Sequence, residues 1–353
     1  MLNTRIGENF NANDVINSND LRKRLLNIDS RFRTNLSDLS TNFQYRCEHT
    51  YKNIIRVRLA SIEIPNMFYT FSAAKANTSF IISTRDITGI TRTVRITIPD
   101  GNYIISDLVT AIQAQFDTLL KDPFGIFLTI TFDVNTAKIT ISHNGLAPYP
   151  VTLVTTVPSA DAAPITINFQ PTMPKENLAR DRNYGCGIGY HLGYRQRLFN
   201  LVTPTSFLPF KTYALEGTAV VDMAGDTYCF LEVNDYHAVE HNTIEKYFQC
   251  FAKIMVREDK GAVIYDDGST TLSNEIIFPS PVDLTTLAVR LIDPWGDVIN
   301  LNGLDFSFTL EITEVTNTTL YDFYRNYIWL GTIPSVPRNV RGSAVGLLGG
   351  RGP

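Results

Sequence analysis

Long apolar runs are missing from this chain. No stretch approaches the ~20 consecutive apolar residues that carry a helix across a bilayer, so no helical membrane span is expected. The first residues, MLNTRIGENFNAND, lack the apolar core of a secretory signal. The Asn-x-Ser/Thr triplets beginning at Asn35, Asn77 and Asn317 are therefore expected to stay bare. Cysteine is scarce. Cys47, Cys186, Cys229 and Cys250 form no CxxC pair and fit no zinc spacing. Buried reduced thiols are the expectation, and they suit a cytosolic assembly compartment. Charge is thin at 19%, and the net charge is −4, so the chain as a whole does not advertise nucleic-acid binding. Neither a GxSxG elbow nor a P-loop occurs, which removes two common nucleophile and phosphate-binding chemistries.

What is abundant is strand material. The 353 residues include 16 Tyr and 21 Phe, with Thr, Ile and Val recurring, and they allow one large domain or two ordinary ones. The organising stretch is 53–72, NIIRVRLASIEIPNMFYTFS. Ile55, Val57 and Leu59 alternate with Arg56 and Arg58; then the phase slips, and Ala60, Ile62 and Ile64 are the apolar positions. Period two means a strand with one face in a core. A one-residue slip would turn every later side chain to the wrong face, so a β-bulge is expected near Ala60.

Before this strand, residues 1–50 read as an N-terminal arm, with one short helix in NSNDLRKRLL. After it come strands at 78–84 and 91–99 and a helix over 104–121, capped by Ser106 or Asp107 and stopped at Asp122-Pro123. A hairpin across Asn135-Thr136 and a turn at Asn144-Gly145 complete an inserted β-α-β-β unit over 90–145. Short strands follow at 150–156 and 165–169, and strands return over 213–314. The cleanest places Leu304, Phe306, Phe308, Leu310 and Ile312 on one face. The expected fold is mainly β: an antiparallel β-sandwich of jelly-roll or Greek-key type over 51–314, single or double, with extended arms at both ends. The C-terminal tail, 315–353, opens with the aromatic run TLYDFYRNYIWL and ends glycine-rich.

Three patterns resemble active chemistry. His237, Glu240 and His241 spell an inverted zinc-protease motif, but that chemistry needs a helix, and here the motif follows a strand. A loop with exposed histidines is the plainer reading. Gly185, Gly187, Gly189 and Gly193 lack the strand and crossover helix of a dinucleotide site, so close backbone packing is expected. Asp266 and Asp267 precede Gly268 and read as a hairpin tip. No catalytic, cofactor or metal residue is assigned.

The ends differ from the middle. Residues 1–58 are rich in Arg and Lys, and 325–351 hold Arg325, Arg338, Arg341 and Arg351 with no acid. Interface residues are expected there: Arg22, Lys23, Arg24 and Arg31 in the arm, and Tyr321, Tyr324, Trp329, Arg338 and Arg341 in the tail.

Five segments taken in order, NIDSRFR (27–33), SIEIPNMFYTFS (61–72), IPDGNY (98–103), GYHLGYR (189–195) and LAVRLIDPWGDVINLNGLDFSFTLEI (287–312), resemble a group of virion proteins of nucleocytoplasmic large DNA viruses, the giant viruses. These are described as minor capsid or structural proteins. The resemblance runs from about 27 to 314 and leaves the tails uncovered. It implies a non-enzymatic β-sandwich lying beneath or between capsomers of double-jelly-roll major capsid protein. The setting would be an icosahedral shell over an inner membrane, assembled in the host cytoplasm. Its partners would be those capsomers and other minor capsid proteins, with no specific nucleic acid, small-molecule substrate or cofactor. A vertex (penton) protein or host-binding spike is the alternative, and a stable pentamer would mark it.

Overall fold

The computed structural model describes residues 21–147, 160–169, 187–207, 210–242, 247–267, 275–316 and 318. The chain begins with β1 (Leu21–Asp29) and β2 (Asn42–Pro65). It then builds β3 (Ser79–Arg85), β4 (Thr91–Thr97), helix α1 (Ile105–Phe116), β5 (Ile126–Asp133), β6 (Lys138–Leu146), β7 (Ile165–Asn168), a one-turn helix α2 (Ile188–His191), β8 (Leu198–Leu201) and β9 (Tyr213–Glu216). It returns through β10 (Tyr228–Val233), β11 (Val239–Asn242), β12 (Tyr247–Cys250), β13 (Ala252–Met255), β14 (Val263–Asp266), β15 (Ile276–Ile292) and β16 (Ser307–Val315).

Two hydrophobic cores result, one nested in the other along the chain. The first takes its side chains from Leu26 to Phe68 and again from Cys229 to Ile312. Its sheet runs β1-β16-β2-β15-β10-β13, with β14 also paired to β2. The second core lies between these halves in sequence, from Phe71 to Leu215, and is shared by the sheets β4-β3-β7-β8 and β5-β6-β9. Every pairing is antiparallel. The unit expected over 90–145 thus shares a larger core with β3, which precedes it, and with β7 to β9, which come from beyond a proline-rich stretch.

β2 carries the first sheet. It pairs with β15 along Asn42–Val57, with β16 along Ile54–Glu63 and with β14 along Ile62–Pro65. The bulge sits where the phase slips: Thr309 opposes Ser61 and Leu310 opposes Leu59, leaving Ala60 as the extra residue. Val57, Leu59, Ile62 and Ile64 all reach the same core in consequence. β15 joins what read as two strands. Its register jumps between Ile277 and Val282, the span that contains Pro279 and Pro281, because proline cannot donate to the ladder.

Five local expectations are corrected. The helix expected in NSNDLRKRLL is strand from Leu21: Leu26 and Ile28 alternate into the core and pair with β16, a partner almost 300 residues away. Residues 21–50, expected within an arm, hold β1 and the opening of β2. α1 starts from Ile104 with no side-chain cap, and its stripe Leu108, Ile112 and Phe116 docks in the second core. It continues through a wide π-type turn over Asp117–Lys121 and stops at Gly125, in the left-handed conformation. Asn144 is the extra residue of a bulge in β6, since Gly145 opposes Phe127 and His143 opposes Leu128. Leu304 is exposed, whereas Phe306, Phe308, Leu310 and Ile312 are buried as expected. The strand expected at 150–156 lies outside the described residues, as does Cys186. The other three cysteines are buried free thiols, and burial pushes Cys229 and Cys250 up to about 12.

Candidate interaction surface

The arm cations sit on the edge strand β1. Lys23 and Arg58 hold the two oxygens of Glu311, each at 2.8 Å, from strands on either side of β16. Burial alone would raise the Glu311 carboxyl, but the hydrogen bonds from Lys23 and Arg58 outweigh it and hold the group below the usual range. Arg24 Nε donates to Glu314 at 2.8 Å, and Arg31 clasps Asp29 through both of its side-chain oxygens. Arg22 is exposed and has no ion partner among the described residues. Three of the four arm residues named from the sequence therefore already hold a carboxylate of their own chain. The tail residues Tyr321, Tyr324, Trp329, Arg338 and Arg341 lie outside the described residues.

β1 and β16 pair along their whole lengths, from Asp29 opposite Ser307 to Leu21 opposite Val315. The segment before Leu21 and the segment after Val315 therefore join the body at one corner. Leu21, Val315 and Ile55 form a small apolar cluster there.

The opposite end of the same strands exposes several apolar side chains within a polar loop. Phe32 (70% exposed), Leu36 (68%) and Leu39 (55%) stand on the β1–β2 loop, and Leu304 (41%) and Met67 (37%) are exposed on the neighbouring turns. The loop is held firmly. Arg33 Nη1 donates to Asp305 at 3.0 Å and its Nη2 to the Leu36 carbonyl at 3.0 Å. Ser40 Oγ donates to the Leu304 carbonyl at 2.6 Å, and Asn302 Nδ2 to the Met67 carbonyl at 2.6 Å. Sequence reasoning missed this end because Phe32, Leu36 and Leu39 are scattered through a polar segment with no period, and the fold alone gathers them.

The seam between the two cores is polar. Lys260 Nζ lies 3.7 Å from the Phe68 ring centre and donates to the Phe68 carbonyl at 2.9 Å; burial, with Lys75 nearby, lowers it to about 8. A cavity of about 10 Å³, room for one water, opens among Thr70, Asn77, His191, Asp226 and Asp293. Asn77 is fully committed, accepting from Ser72 N–H and donating to the Thr70 carbonyl, so this triplet offers no amide to a glycan.

The patterns resembling active sites resolve into packing. β11 presents Glu240 and His241 as neighbours on a strand, where successive side chains point to opposite faces. His237 is exposed, but His241 is half-buried against Phe230 and Phe248, with Nε2 3.1 Å from the Pro294 carbonyl. A Cβ on Gly189 would lie 2.5 Å from the Phe169 ring, and one on Gly193 2.3 Å from the Ala219 carbonyl oxygen, so these glycines permit close approach. Asp266 ends β14, buried opposite Ile62.

No protein-family profile and no curated protein matches the chain. Among solved structures, the selenomethionine-labelled mavirus penton protein aligns over 83% of this chain and 100% of its own, with TM-score 0.43 and 8% identity.

Proposed function

We propose that this chain is a structural protein of a virion, a minor capsid protein that links major capsid protein capsomers in the icosahedral shell of a large DNA virus. The order of the five resembling segments supports that reading. The observation that carries it is the pairing of β1 with β16, which roots both terminal segments at one corner of a rigid β body. A body with two leads at one corner docks by its surface and ties neighbours together by its ends. Ordering such ends costs conformational entropy but spans distances that a compact domain cannot. The tail supplies aromatic and Arg residues, the usual anchors of interfaces, in Tyr321, Tyr324, Trp329, Arg338 and Arg341.

The test is a truncation. Deleting 319–353 leaves both cores intact, so the protein is expected to fold with an unchanged melting temperature and yet fail to enter particles. Normal incorporation of the truncated chain refutes the linker role.

A further inference from the structure

The chain passes between its two cores twice, and both passages meet at the small polar cavity of the seam. Thr70 and Asn77 lie on the outward passage, after Phe68 of the first core and around Phe71 of the second. Gly225 and Asp226 lie on the return, just before β10. His191 reaches the cavity from α2 at the rim of the second core, and Asp293 and Trp295 reach it from the turn after β15 in the first. Lys75 completes the lining, ion-paired to Asp226 at 3.1 Å. We infer that the cavity is a binding site for one water, which accepts from the Thr70 hydroxyl, donates to His191 Nε2 and to Asp226, and so pins the two passages to each other.

The hydrogen bonds already made decide what the site takes. His191 Nδ1 stands 2.8 Å from the Asp222 carbonyl, which can only accept, so Nδ1 carries the ring proton and Nε2 keeps a lone pair. Burial holds the ring's pKa below its ordinary value, so it is neutral at pH 7. Thr70 is 5% exposed and His191 6%, and neither the Thr70 hydroxyl nor His191 Nε2 bonds to another described residue. Polar groups buried this deeply are ordinarily satisfied. The occupant must therefore give a proton to one and take a hydrogen bond from the other, in room for one small molecule. The Asp226 and Asp293 carboxylates repel an anion, and no group of three His, Cys, Asp or Glu among the described residues could hold a metal. Water meets these terms. Gly225 preserves the space, since a Cβ there would stand 3.1 Å from both Cγ2 and Oγ1 of Thr70.

The experiment is a crystal structure of the full chain at a resolution that shows ordered water, with Thr70→Ser and Thr70→Val beside the wild type. One water within about 3.2 Å of both His191 Nε2 and Oγ of residue 70 is expected in the wild type and in Thr70→Ser, which keeps the hydroxyl. It is expected to be lost from Thr70→Val, which keeps the shape. Hydrogen exchange reads the pinning. The Ser72 N–H donates to Asn77 at 2.7 Å and the Asp222 N–H to the His191 carbonyl at 2.9 Å, one on each passage. Both amides should exchange roughly fivefold faster in Thr70→Val, the effect of about one hydrogen bond, and at the wild-type rate in Thr70→Ser. Should Thr70→Val fail to fold, the wild-type and Thr70→Ser maps decide alone. A dry cavity in the wild type, an ion in the water's place, a water that stays in Thr70→Val, or unchanged exchange on both passages each overturns the inference.

Discussion

His143 shows how much one residue can set. It is fully buried in β6, accepts from the Gly145 N–H at 3.3 Å through Nδ1, and leaves Nε2 without a partner. Burial lowers its pKa to about 4, from 6.5 in the unfolded chain. The folded state therefore refuses a proton that the unfolded state accepts below pH 6.5. Stability is full above that value and falls as the pH drops towards 4, by up to about 3 kcal/mol. His143→Leu removes this dependence, so the difference in urea midpoints between wild type and variant should swing in the variant's favour between pH 7 and 4.5. Parallel profiles would refute the assignment. His143 follows Ile139 and Ile141 at period two on the face of β6 that packs into the second core, so its burial continues an alternation the sequence shows.

Elements were read best where local pattern and tertiary demand coincide. The bulge at Ala60 is such a case: two apolar registers in one strand cannot share a core unless one residue is extra. Deleting Ala60 should turn Val57, Leu59, Ile62 and Ile64 into one unbroken alternation, with Thr309–Ser61 and Leu310–Leu59 as consecutive pairs, so the strand keeps its core face without the bulge. Chemical denaturation checks this: stability close to wild type is expected, and a loss of roughly 3–6 kcal/mol, the cost of turning Ile62 and Ile64 outward at about 1.5–3 kcal/mol each, would contradict the bulge. Reading failed where the deciding partner is remote. The β1 residues have a helix-permissive composition, yet β16 pairs with them across the length of the chain. Conversely, Gln113 on α1 donates to the Leu128 carbonyl and accepts from Ile130 N–H, both at 3.0 Å, so a polar helix residue serves the edge of β5. Its role is invisible until the two elements meet.

At the scale of the molecule, two cores of different acid sensitivity share one chain. His143 and His191 both belong to the second core or its rim, and burial depresses the pKa of each. In the first core, Asp29 is held low chiefly by the Arg31 hydrogen bond, and Glu311 ends low because Lys23 and Arg58 outweigh its burial. Those carboxylates protect above their unfolded values near 4 and are lost only below them. Between pH 6.5 and 4.5 the histidines therefore act alone. Hydrogen exchange at pH 5, corrected for intrinsic rate, should show β5, β6 and β9 opening before β2 and β16; the reverse order would contradict the assignment.

The sequence by itself determined the strand-rich class, the faces of β2 from Val57 to Ile64 and of β16 from Phe306 to Ile312, the bulge at Ala60 and the α1 stripe, because period and phase are local properties of side chains; it misplaced Ile55, which a second register shift turns to another cluster. The tertiary structure decided the nesting of two cores, the fate of the arm cations and the gathering of Phe32, Leu36, Leu39 and Leu304 at one end. Each of those depends on which distant strand lies alongside, and antiparallel pairing over hundreds of residues leaves no mark in the residues' spacing.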